Sequence, residues 1–213
     1  AGIAWMFATL YKESKVERYL DLAKRAVVYL QSIAVGDESG TLIPYLDNPK
    51  TGPTWDKYYL STCHGPVGTT LVFRMLYELT GEQEYLDWIK RLARGIIRAG
   101  APEKNSWGYW ASNCQCCGAP GVLEHFVSVY ELTGEEEFLE YAKRTADVLV
   151  GDSQLLDGKR RWMSAWNRLT PEVVKSFTGF YVGSAGGSSS LLKLYSALEN
   201  KPFTDIFEYI YFD

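Results

Sequence analysis

Three of the four cysteines crowd into Cys114-Gln115-Cys116-Cys117, and the fourth, Cys63, is followed directly by His64. Thiolates are soft metal ligands and strong nucleophiles, so a cluster of them points to metal binding or covalent catalysis. Disulfide-stapled scaffolds are short and dense in cysteine, whereas this chain has 213 residues and four cysteines. The second histidine, His125, falls among apolar residues and reads as a packed or hydrogen-bonded core residue.

The elements that must position these thiols show up as an internal repeat. Two segments share the pattern Tyr-Glu-Leu-Thr-Gly-Glu: Tyr77 to Glu82 and Tyr130 to Glu135. Thirteen residues before each turn glycine stands another glycine, Gly68 and Gly121, closing Gly65-Pro66-Val67-Gly68 and Gly118-Ala119-Pro120-Gly121. A further unit carries Gly183-Ser184-Ala185-Gly186, and the first begins at Gly2. Nine residues after Gly2, Gly68, Gly121 and Gly186 comes a tyrosine each time: Tyr11, Tyr77, Tyr130 and Tyr195. Seventeen residues after them comes an aromatic each time, Tyr19, Tyr85, Phe138 and Phe203, and three units then carry Lys24-Arg25, Lys90-Arg91 and Lys143-Arg144.

Each unit predicts a helix, a tight turn and a second helix. Pro66 and Pro120 fall in or near a first turn, where a missing N–H costs nothing. Leu71, Met75, Leu76 and Leu79 recur at helical spacing, Thr80-Gly81 and Thr133-Gly134 end the helix, and Glu82 or Glu135 starts the next at its positive end. Glycine at every first-helix start implies crowding there, as around a common centre. The linking stretches, 36–62, 100–114 and 151–181, predict loops and short hairpins. The fold expected is all-α: αα-hairpin repeats, four of them, in an (α/α) toroid, with residues 1–213 as a single domain.

Aligning the helix starts sets Cys63-His64-Gly65-Pro66-Val67-Gly68 over Cys116-Cys117-Gly118-Ala119-Pro120-Gly121. The thiols stand one and two residues before the first glycine, where the helix dipole and free N–H groups favour thiolate. Cys63, Cys116 and Cys117, with His64 as a further candidate, would supply three legs of a tetrahedron and leave the fourth open, as in a catalytic zinc site. Cys114 matches no repeat position; it reads as a small buried hydrophobe or a spare ligand.

These motifs resemble the lanthionine synthetase C-like family over essentially the whole chain. The resemblance implies an α-toroid of seven hairpins, of which this chain would be the carboxy-terminal portion. It also implies Zn²⁺ held by Cys63 and Cys116, with Cys117 where the commoner pattern has histidine. In this Cys-Cys-Gly variant a three-thiolate site carries net negative charge and makes a substrate thiolate more electron-rich. The implied reaction adds that thiolate to a dehydroalanine or dehydrobutyrine, forming a thioether in a peptide. The family's proton donor, a histidine before a glycine, would precede Ala1, and its arginine ahead of the first zinc cysteine is absent from Asp56-Lys57-Tyr58-Tyr59-Leu60-Ser61-Thr62. Lys57, Tyr58, Tyr59 and His64 are the candidates to replace these groups, Tyr59 and His64 foremost. The partners implied are a peptide or small thiol and an upstream dehydratase, with the cytoplasm as the favoured location.

A net charge of −4 argues against nucleic acid as the main partner, because phosphate neutralisation needs clustered Lys and Arg. No apolar run is long enough to span a membrane. Hydrophobic residues at 46% and charged residues at 23% describe an ordinary globular chain. A carbohydrate-active (α/α) toroid is the first alternative, with Asp47, Asp56 and Glu124 as acids and the tryptophans of 107–110 and 162–166 as stacking platforms. A zinc-bearing toroid that binds a peptide or thiol without cyclising it is the second.

Overall fold

The computed structural model describes residues 1–48, 52–53, 57–110, 112–165, 167 and 169–204, and among these it holds seven helices. They are α1 (Gly2–Ser14), α2 (Glu17–Ser32), α3 (Pro66–Thr80), α4 (Gln83–Arg98), α5 (Ala119–Thr133), α6 (Glu136–Gly151) and α7 (Ser184–Leu198). Between the hairpins run short antiparallel ribbons: β1 (Val35–Asp37) with β2 (Gly40–Leu42), β3 (Asp47–Asn48) with β4 (Gly52–Pro53), β5 (Ser153–Leu156) with β6 (Lys159–Trp162), and β7 (Ser164–Ala165) with β8 (Val174–Lys175). The described residues contain no larger sheet, and the class is all-α.

The repeat register marks the helix ends. α3 and α5 start on a glycine cap with proline in the first turn. They stop at Gly81 and Gly134, whose positive φ lets their N–H reach back to the carbonyls of Tyr77 and Tyr130. α1 ends the same way with the Lys15 N–H on the Tyr11 carbonyl, although Lys15 must itself adopt φ 56°. At α7 the Glu199 N–H meets the Tyr195 carbonyl at 3.0 Å. The recurrent tyrosine thus marks the last carbonyl to be capped in all four units. Three hairpins are complete; the described residues after α7 are not helical, and Asp205–Asp213, where a fourth second helix was expected, lie outside them.

By contact, the chain divides into two compact units, Ala1–Trp110 and Ala111–Asp213. In the first, α1 packs on α2, α3 on α4, and the two first helices α1 and α3 on each other. In the second, α5 packs on α6, and α7 lies chiefly against α5. Burial follows this layering. α5 is buried on every face, from Pro120 through Phe126 to Val129, whereas α6 buries one stripe, Phe138, Ala142, Thr145, Ala146 and Leu149. α4 does likewise with Tyr85, Ile89, Leu92 and Ile96. The Lys-Arg steps sit towards solvent as expected, with the Arg91 and Arg144 guanidiniums over the rings of Trp88 and Tyr141 at 5.4 and 4.4 Å.

At α3, α5 and α7 the helix-start glycines are needed first for the approach of the chain's own preceding loop. A Cβ on Gly65, Gly118 or Gly183 would run into the carbonyl oxygen six residues earlier, of Tyr59, Ser112 and Phe177 respectively. Gly68 and Gly186 stand in the same relation to Thr62 and Phe180. The starts of α3, α5 and α7 are each wrapped against their own incoming loop, whereas a Cβ on Gly2 would meet nothing within 4 Å. The loops before α3 and α5 are the ones that carry the cysteines.

Candidate metal centre

In the first unit the loop before α3 is closed by the Gly65 N–H on the Ser61 carbonyl at 3.0 Å, and anchored at its base where Leu60 N–H meets the Gly108 carbonyl at 3.3 Å. Cys63 and His64 stand at its exposed tip. The His64 ring meets Tyr45 edge-on at 5.1 Å and Tyr59 at 5.2 Å. Tyr59, almost fully buried, also packs against Trp107 at 5.2 Å and Trp110 at 6.0 Å. Lys57 places its ammonium 5.8 Å over the Trp107 ring. Beside this aromatic cluster opens a cavity of about 520 Å³, onto which Cys63 and His64 face together with Trp5, Ile43, Tyr45 and Leu46.

In the second unit Cys114 to Cys117 form a turn that the Gly118 N–H closes on the Cys114 carbonyl at 2.9 Å. Cys116 and Cys117 are half-buried, their sulfurs 3.4 Å apart, and the Cys116 N–H donates to the Tyr181 carbonyl at 3.0 Å. Cys114 is buried, as a core cysteine would be, yet its sulfur is not in apolar surroundings. It accepts from Ser112 Oγ at 3.1 Å and from the Cys117 N–H at 3.4 Å. The Cys117 thiol first, then Ser112 and the backbone N–H groups of Cys117 and Cys116, pull the Cys114 thiol down to about 6 against the opposing effect of burial. The loop therefore favours the thiolate form of Cys114.

Next to this turn lies a group of buried polar side chains that the repeat pattern did not single out. Gln115 Nε2 donates to Glu124 Oε2 at 2.5 Å, and Ser190 Oγ lies 2.8 Å from Gln115 Oε1. Lys193, also buried, donates to Ser128 Oγ at 2.8 Å. His125 is packed against Phe126 at 6.1 Å with its Nε2 buried and lacking a hydrogen-bond partner. Polar residues spaced nine and sixty-six positions apart give no periodic signal; Gln115 between cysteines, and adjacent Glu124-His125 in an apolar helix, were the available hints.

The sugar-hydrolase alternative rests on Asp47, Asp56 and Glu124 as its acids. Glu124 is buried and hydrogen-bonded, Asp56 lies outside the described residues, and for Asp47 only the backbone is described. Of the tryptophans, Trp162 is buried with its Nε1 on the Leu149 carbonyl at 2.6 Å, and Trp166 lies outside the described residues. Among the described residues no helix is long and apolar enough to cross a membrane.

Residues 1–208 match the family model described as lanthionine synthetase C-like protein. Among solved structures the chain is similar to the Lin0763 protein from Listeria innocua, with a TM-score of 0.60 and 17% identity over 94% of this chain and 56% of that one. At that identity the likeness is one of fold, and the chain spans little more than half of the longer protein's length. No curated protein matches it.

Proposed function

The chain belongs to the lanthionine synthetase C-like family, and from that premise we propose that Cys63, Cys116 and Cys117 hold a Zn²⁺ that serves thioether formation in a dehydrated peptide. The donor chemistry fits. Cys63, Cys116 and Cys117 offer three soft sulfur donors, each one or two residues before a helix-capping glycine. A bound zinc ion supplies Lewis acidity that keeps a substrate thiol ionised near neutral pH.

The remaining chemistry falls to the chain's own groups. The substrate sulfur bonds to the β-carbon of a dehydroalanine or dehydrobutyrine while the π pair moves towards the carbonyl, and a proton is then delivered to the α-carbon. No electrons are exchanged and the peptide's mass is unchanged. His64 is the candidate proton donor, because it is exposed and faces the same cavity as Cys63. Tyr59 orients that ring, and the cavity's Trp5, Ile43 and Tyr45 would shelter apolar side chains flanking the reacting residues. The observation that carries the reading is the placement of thiols at equivalent positions of two glycine-wrapped helix starts.

Elemental analysis of the purified protein tests the site. About one zinc per chain is expected, lost in Cys63→Ser and in Cys117→Ser while the far-UV spectrum holds. A folded protein without zinc, or with zinc indifferent to both substitutions, sinks the reading. Incubation with a dehydrated, cysteine-containing peptide then separates a cyclase, which removes the free thiol at constant mass, from a protein that only binds thiols.

A further inference from the structure

Gln115 lies between Cys114 and Cys116, and its side chain is buried in the core. Its side chain is 2% exposed, Glu124 on α5 is 6% exposed, and Ser190 on α7 is fully buried. The Gln115 amide donates to Glu124 Oε2 at 2.5 Å and its oxygen receives the Ser190 hydroxyl at 2.8 Å, with the same hydroxyl 3.3 Å from Glu124 Oε2 and 3.1 Å from the Gly186 carbonyl. Gly186 leaves the space for this arrangement, since a Cβ there would press on the Gln115 Cβ.

Burying a carboxylate and an amide gives no advantage in stability over an apolar filling of the same volume. What the arrangement does provide is position. A charge-assisted bond to a rigid helix fixes the Gln115 side chain, and with it the backbone between Cys114 and Cys116. The loop is then held at three points: the Cys114 sulfur by Ser112, the Gln115 amide by Glu124, and the Cys116 N–H by Tyr181. Resting on the zinc reading, we propose that Gln115 and Glu124 are positioning residues for the Cys116–Cys117 thiols, with the Ser190 hydroxyl fixing which way the amide faces. Outer hydrogen bonds of this kind decide how well ligands are presented to a metal.

Co²⁺ is the probe, because its thiolate charge-transfer and d–d bands report ligand geometry as well as occupancy. The full chain, Gln115→Leu, Glu124→Gln, and the exchange variant Gln115→Glu with Glu124→Gln are titrated with Co²⁺ against a competing chelator, with circular dichroism and amide exchange at residues 114–118 recorded alongside. Each single substitution is expected to weaken Co²⁺ binding roughly 10- to 100-fold and shift its bands, at unchanged helicity and with faster exchange in the loop. The exchange variant restores an amide–carboxylate pair with its polarity reversed and recovers most of the affinity. Single variants that bind Co²⁺ as tightly as the unsubstituted chain, with the same bands, overturn the positioning role alone. An unsubstituted chain that binds no Co²⁺ overturns the metal reading as well. Should Gln115→Leu fail to fold, the isosteric Glu124→Gln decides.

Discussion

His125 lies buried on α5, its Nε2 without a partner, with the Lys193 ammonium of α7 near enough to act on it and Glu124 adjacent on its own helix. Burial first, then the Lys193 charge, lowers its pKa from 6.5 to about 3. The folded protein therefore refuses a proton that the unfolded chain takes up below its own value. The contribution to stability is whole above 6.5 and is lost as pH falls towards 3, by at most ~1.4 kcal/mol for each pH unit. Urea unfolding between pH 7 and 4 should show this slope, and His125→Leu should remove about one proton's share of it. An unchanged slope in the variant would place the titration elsewhere. The cysteines were the part of the site legible at this scale, because their type and their place in the repeat coincide. Gln115 and Ser190 were not, since their meaning lies in which residue they meet across seventy-five positions.

α1, α3 and α5 close with the same left-handed cap, but only α3 and α5 use glycine for it. Lys15 pays the steric penalty of φ 56°, partly offset by its ammonium 5.8 Å over the Tyr11 ring. Lys15→Gly should stabilise the chain by roughly 0.5–1 kcal/mol, and Gly81→Ala should destabilise it by about 1 kcal/mol, both read from chemical unfolding. The hairpins themselves were legible because helix and turn signals recur in one register. The reason for the helix-start glycines was not. From sequence they implied helices crowding one another, whereas the nearest obstacle at α3, α5 and α7 is the helix's own preceding loop, at Tyr59, Ser112 and Phe177. A contact six residues back leaves no periodic trace.

Across the chain, the two units meet the expectation of a single domain over residues 1–213 only if they unfold together, which we propose they do. Binding of the proposed zinc ion would stabilise the folded chain by mass action. At a free zinc concentration a thousandfold above its dissociation constant the gain is about 4 kcal/mol. Calorimetry of the zinc-loaded protein should give one transition; chelation should lower it by that order or split it in two. Two transitions that zinc leaves untouched would overturn the single-domain reading.

The glycine wrap gives the fold a modular grammar. Within each wrap, the spot from which a donor is offered is decided inside seven residues, from Tyr59 to Gly65 and from Ser112 to Gly118. The β7 strand supports the second wrap, where Ser164 Oγ accepts from the Asn113 N–H at 3.0 Å. The β5–β6 ribbon, turning at Asp157-Gly158 with Leu155 and Leu156 exposed, could be lengthened, shortened or exchanged for foreign sequence without retuning the thiols. Such a scaffold can vary what it recognises while keeping its reactive groups where they are.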